Sequence, residues 1–152
     1  MNRMNLLVTL MERELQRRDA AAVELRDACN ALEQARQQGQ ALLGYRDEYR
    51  QRWQAQFQQR ATMDILRCYH GFVERLDQAI TSQQGSVEAA VRREAAARDR
   101  LRQRETRVAM VRKLMERRQK AEDQKQERRE QKASDETAQR MAWAARHDLA
   151  TA

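Results

Sequence analysis

The fold is decided by residues 21–35, which read AAVELRDACNALEQA. Alanine and leucine alternate there at the positions of a seven-residue repeat, namely Ala21, Leu25, Ala28, Leu32 and Ala35. Such a repeat is typical of a helix that packs lengthwise against another helix, and the small alanines let two antiparallel backbones approach closely. The stretch therefore predicts one arm of a coiled coil.

The same 3.5-residue spacing extends outward from this stretch and appears again later in the chain. The first stripe contains Met4, Leu7, Met11, Glu14, Arg18, Ala21, Leu25, Ala28, Leu32, Ala35, Gly39, Leu42, Arg46, Tyr49 and Trp53. The second stripe contains Leu66, Tyr69, Val73, Leu76, Ile80, Gln83, Val87, Ala90, Glu94, Ala97, Leu101, Arg104, Val108, Val111 and Met115. Each stripe is about 50 residues long, so we expect two long paired helical segments of nearly equal length.

A polar stretch, Gln54–Thr62, separates the two stripes. A reversal there pairs residues whose numbers sum to roughly 118, so that Tyr49 faces Tyr69. The absence of proline, the presence of only four glycines and the 35% of charged residues favour an all-α chain over a compact globule. The alternative is one continuous helix that forms an intermolecular dimer, because neither proline nor an Asn-Gly pair marks the turn.

We therefore predict a long antiparallel two-helix coiled-coil hairpin with a solvated C-terminal helical extension. The predicted single domain, 1–152, divides into a first helix at 3–54, a turn region at 55–62, the paired part of the second helix at 63–115 and a charged extension at 116–152.

The residues favour no enzymatic chemistry. No glycine-rich phosphate loop is present, and His70 and His147 lie 77 positions apart without carboxylates or cysteines at ligand spacing. We expect no catalytic residue, no metal site and no cofactor. The N-terminus does not resemble a signal peptide, no apolar run could span a bilayer, and Cys29 and Cys68 show no disulfide framework, which indicates a cytoplasmic protein.

The positive charge is concentrated in one segment. Arg92–Lys120 contains 12 basic and 4 acidic residues, a net charge of +8, whereas the whole chain carries +7. This strip is interpreted as a surface for an acidic protein partner, as a plain solvated helix face, or as a nucleic-acid-binding surface.

Most of the aromatic residues lie near the predicted turn, namely Tyr45, Tyr49, Trp53, Phe57, Tyr69 and Phe72. Some of them simply belong to the seam between the helices. Tyr45, Phe72 and Ala79, however, lie off the strict stripe, and a two-helix hairpin cannot bury both of its flanks. We expect an exposed aromatic cluster there, which is typical of an interaction site.

Three stretches resemble the flagellar FliJ family. Residues 42–50, LLGYRDEYR, are similar to its Leu-x-x-Tyr-x-x-Glu-Tyr stretch. Residues 69–80, YHGFVERLDQAI, are similar to its Tyr-x-x-Phe-x-x-x-Leu-x-x-Ala-Ile, and residues 135–140, DETAQR, to its Asp-Glu-x-Ala-x-Arg. The resemblance covers nearly the whole chain.

The resemblance implies a cytoplasmic stalk of the flagellar type III export apparatus, at the cytoplasmic face of the inner membrane. Such a stalk would insert into the hexameric export ATPase, FliI, promote its assembly and activity, link it to the cytoplasmic domain of the export gate, FlhA, and contact export chaperones. The implied gate-binding residues are Gln38, Leu42, Tyr45, Tyr49, Phe72, Leu76, Ala79 and Gln83, although the family has histidine at the last position. The expected ATPase-ring contacts are Arg92, Arg93, Arg98, Arg100 and Arg107. The alternatives are the equivalent stalk of a virulence type III secretion system and a basic coiled-coil nucleic-acid-binding protein.

Overall fold

The computed structural model describes residues 2–60 and 62–151. It contains two helices, α1 at Arg3–Gln59 and α2 at Met63–Thr151. The helices pack against each other, and no strand occurs among the described residues. The prediction of an all-α helical hairpin is therefore confirmed.

Burial follows the predicted seam residue by residue. Every member of both stripes is buried or partly buried. Ala97 has the smallest exposed fraction of the buried apolar residues, 2%, and Val108 follows with 4%. The 3.5-residue repeat thus identifies the surface along which the two helices meet.

The two helices end and begin close to the expected turn. α1 continues to Gln59 and not only to residue 54, since the rings of Trp53 and Phe57 both pack against Tyr69, with centroids 5.3 and 5.4 Å away. Thr62 caps α2, because its side-chain Oγ1 accepts a hydrogen bond from the backbone N–H of Ile65 at 3.3 Å. Ala61, within the expected turn, lies outside the described residues.

The chain forms two compact units. The central unit is Gln16–Glu105, and the terminal unit consists of Met1–Leu15 together with Thr106–Ala152. In the terminal unit, all residues from 119 to 151 are helical and exposed. Met141, Trp143 and Leu149 have exposed fractions of 70%, 67% and 81%. This part of α2 is solvated helix, as the sequence predicts.

Candidate protein-interaction surface

The central unit contains a surface to which each of the two helices contributes four residues. We call it the aromatic face, and it consists of Gln38, Leu42, Tyr45 and Tyr49 of α1 with Phe72, Leu76, Ala79 and Gln83 of α2. Within each helix these residues are separated by four, three and four positions. Residues three and four positions apart lie on the same side of a helix, so each set forms one stripe.

Aromatic rings join the two stripes. The ring centroids of Tyr49 and Phe72 lie 4.0 Å apart, and those of Tyr45 and Phe72 lie 6.3 Å apart. Tyr49 also stacks on Tyr69 with a centroid distance of 6.2 Å and an interplanar angle of 12°. The expected opposition of Tyr49 and Tyr69 is therefore confirmed, and the structure brings Tyr45, Tyr49 and Phe72 together.

The members of the aromatic face differ in exposure. Tyr45 is 53% exposed, and Gln38 and Ala79 are exposed as well. Leu76 is only 7% exposed, so it offers almost no area to a partner. The remaining members are partly buried: Leu42, Tyr49, Phe72 and Gln83.

A polar contact joins the two helices at the end of the aromatic face that contains Gln38 and Gln83. The Nε2 of Gln83 donates a hydrogen bond to the backbone carbonyl of Ala35 at 2.8 Å and a longer one to Oε1 of Gln38 at 3.4 Å. The first bond is partly buried. Because Gln83 ties α2 to the backbone of α1, it fixes the separation of the two stripes at this end of the aromatic face.

The aromatic packing continues toward the end of α1, beyond the residues that the resemblance implies. Trp53 lies against Tyr49, with a centroid distance of 5.7 Å, and against Phe57 at 5.4 Å. On the flank, Nη1 of Arg46 lies 3.6 Å from Oδ1 of Asp77. The sequence signal for this extension is the four-residue spacing of Tyr49, Trp53 and Phe57.

All five arginines that we expect to contact an ATPase ring are exposed, but they do not all belong to the same compact unit. Arg92, Arg93, Arg98 and Arg100 belong to the central unit, and Arg107 belongs to the terminal unit. Arg100 pairs across the helices with Glu24, with Nε 3.3 Å from Oε2.

Arg98 pairs within α2 with Glu94. The hydrogen bond to that carboxylate, and then its negative charge, raise the pKa of Arg98 above its ordinary value. Part of the positive charge of the strip is therefore already neutralised by carboxylates within the central unit.

Three further observations concern other kinds of site. Within residues 2–60 and 62–151, no group of three or more His, Cys, Asp or Glu residues could hold a metal ion. Neither α1 nor α2 contains an apolar stretch long enough to span a bilayer. Cys29 and Cys68 are free thiols on exposed positions.

Comparison with known protein families identifies the family of the chain. A family model described as "Flagellar FliJ protein" matches residues 4–147, nearly the whole chain. No curated protein matches significantly, and neither does any solved structure.

Proposed function

The chain belongs to the flagellar FliJ family of type III export stalk proteins, and on this premise we propose that it couples the export ATPase to the export gate without catalysing a reaction itself. It would act in the cytoplasm, at the cytoplasmic side of the inner membrane. FliI and FlhA, together with export chaperones, would be its partners.

The proposed gate contact is the aromatic face. What supports it is that the face combines an exposed tyrosine, Tyr45, with a base formed by the packed, partly buried rings of Tyr49 and Phe72. Rigid aromatic side chains lose little conformational entropy on binding and are over-represented among the residues that dominate binding energy. The exposed ring of Tyr45 on this base is the single observation that carries the proposal.

The proposed ATPase contact is the basic strip. Exposed arginines would face acidic groups in the lumen of the ring and favour assembly of its subunits. Arg92 and Arg93 are the best-placed members for a test, because Arg98 and Arg100 already contact Glu94 and Glu24.

The gate contact is tested by titrating the full chain into the purified cytoplasmic domain of the gate in a calorimeter. Tyr45→Ala should weaken binding at least about tenfold, or about 1.4 kcal/mol. Leu43→Ala is the matched control, since Leu43 is an exposed apolar residue of α1 outside the aromatic face, with an exposed fraction of 39%. Unchanged affinity of Tyr45→Ala would rule the aromatic face out as the contact.

The ATPase contact is tested separately, by measuring hexamer formation and ATP turnover of the purified ATPase. The unmodified chain should raise both, and the double variant Arg92→Ala/Arg93→Ala should raise them less. Arg26→Ala/Arg36→Ala removes two exposed arginines of α1 outside the strip and should behave like the unmodified chain. If addition of the chain increases neither hexamer formation nor ATP turnover, the ring-insertion role is contradicted.

A further inference from the structure

The terminal unit contains an apolar groove that belongs neither to the aromatic face nor to the five arginines considered above. The described residues that line it are Arg3, Leu6, Leu7, Leu10, Leu114, Arg117 and Arg118. We call it the leucine groove. Its volume is about 530 Å³, and it is open to solvent along the surface.

The leucines of this groove are exposed to an unusual degree for a coiled coil. Leu6 is 53% exposed, Leu114 is 48% exposed and Leu10 is 39% exposed. Leu6 and Leu10 are four positions apart on α1, so they form one ridge, and Leu114 of α2 lines the same groove. Contiguous exposed leucines on a helical pair mark a surface that another chain covers.

The form of the groove determines the kind of occupant. A small molecule needs a pocket that buries most of its surface, whereas this groove is open and bordered by two helices. An amphipathic helix lays its apolar side chains into such a groove, with anchors three and four residues apart. The occupant is therefore helical.

The charge around the groove determines the kind of helix. The three polar residues that line it, Arg3, Arg117 and Arg118, are all basic. A neighbouring depression on α2 adds Lys113 and Lys120 against the one carboxylate of Glu116. We infer that the leucine groove binds an amphipathic helix of a partner protein whose apolar stripe is flanked by acidic residues.

A second copy of this chain is a poorer occupant. A symmetric dimer through the groove would place the arginines of one copy against those of the other, which is unfavourable. The exposed helix of the extension presents Met141, Trp143 and Leu149, but two arginines, Arg140 and Arg146, flank this stripe against one acidic residue, Asp148, so its charge does not complement the groove. Leu114, Arg117 and Arg118 lie within the basic strip, Arg92–Lys120. The groove contains none of the five arginines proposed to contact the ring and no residue of the aromatic face, so the peptide experiment tests it separately from the proposed function.

The experiment uses the full chain and a fluorescent synthetic peptide of about three heptads with leucine at positions a and d and glutamate at e and g. A peptide with lysine in place of glutamate is the charge control. We expect the chain to bind the glutamate peptide at least about tenfold more tightly than the lysine peptide, in a salt-dependent manner. Equal binding of both peptides, or binding of neither, would overturn the inference.

Variants locate the binding. The double variant Leu6→Ser/Leu114→Ser should lower the affinity for the glutamate peptide at least about tenfold. The control Val23→Ser/Val91→Ser changes apolar residues of similar exposure elsewhere on the chain and should leave this affinity unchanged. The triple variant Arg3→Glu/Arg117→Glu/Arg118→Glu should reverse the preference in favour of the lysine peptide. Helicity is checked for each variant by circular dichroism, and since all the changed side chains are at least partly exposed, each should fold.

Sedimentation of the chain alone tests whether a second copy of the chain occupies the leucine groove. The unmodified chain should remain monomeric over the concentrations used in the titration. A dimer that Leu6→Ser/Leu114→Ser abolishes would assign the groove to a second copy and overturn the inference of a foreign acidic helix.

Discussion

Replacing Gly39 with alanine should stabilise the chain, although Gly39 lies in the seam. Two opposite situations are possible for a glycine at such a position. Either the partner helix lies too close to leave room for a β-carbon, or there is room for a β-carbon and alanine can replace the glycine. In the structure, a β-carbon at position 39 would lie 3.7 Å from Cγ of Gln83, an ordinary van der Waals distance. Alanine therefore fits without displacing α2.

The magnitude follows from two contributions. Alanine is favoured over glycine in a helix interior by about 0.8–1.0 kcal/mol. The contact of the new methyl group with Gln83 adds about 0.1–0.3 kcal/mol of dispersion energy. Gly39→Ala should therefore raise the free energy of unfolding by about 1 kcal/mol, measured by urea denaturation followed by circular dichroism, and should raise the midpoint of thermal unfolding by about 2–4 °C.

Gly85→Ala is the matched control for this substitution. Apart from residue 85 itself, its two chain neighbours and the adjacent helix backbone, no heavy atom of the described residues lies within 4 Å of the β-carbon position of residue 85, so only the helix propensity changes. The two variants should be stabilised almost equally. If Gly39→Ala destabilises the chain while Gly85→Ala stabilises it, the helices approach each other more closely at Gln83 than the structure shows, and the reasoning is refuted.

Three further substitutions test the packing. Leu76→Ala should lower the free energy of unfolding by about 2–3 kcal/mol in the same urea assay, because this side chain is 7% exposed and its removal leaves a cavity; a loss below about 0.5 kcal/mol would mean that the side chain is not core. Gln83→Ala should lower the free energy of unfolding by about 1 kcal/mol, because the hydrogen bond to the backbone carbonyl of Ala35 is lost. The control Gln38→Ala removes only the longer and more exposed bond to Gln83, so it should lower this free energy less. Deleting residues 119–152 should leave the free energy of unfolding of the remainder within about 0.5 kcal/mol of the full chain, because residues 119–151 are all exposed; a large loss would show that the extension packs on the hairpin.

The seam could be predicted from the sequence because burial between two helices depends almost entirely on periodicity. Once the chain reverses near its middle, the 3.5-residue repeat specifies both the buried side and the partner, as the stacking of Tyr49 on Tyr69 shows. The end of α1 depends on something else. Its last residues are mostly polar, and packing of Trp53 and Phe57 on Tyr69 accompanies the continuation of the helix to Gln59. Local propensity does not report such tertiary contacts.

The site could be predicted only as two helix stripes. Helical spacing places Tyr45 and Leu76 on the aromatic face, but it does not reveal that one is exposed and the other buried. Spacing within one helix is compatible with the pairing of Arg98 with Glu94, four positions earlier on α2. It cannot show that Arg100 contacts Glu24, because that ion pair depends on the relative positions of the two helices. The ion pairs matter for function, because a paired arginine offers less charge to a partner.

The size of the seam residues accounts for the two kinds of surface in the central unit. Where the seam contains alanine, as at Ala28 and Ala97, the small side chains end close to the backbone, and the charged side chains of Glu24, Asp27, Arg93 and Arg100 line the surface beside them. Where it contains Tyr49 and Tyr69, the rings are wider than this space and remain partly exposed, so that Tyr45 and Phe72 can stack beside them. A two-helix hairpin thus cannot hold an aromatic core without also presenting it. The same residues that stabilise this part of the hairpin therefore provide the surface that we propose for the gate.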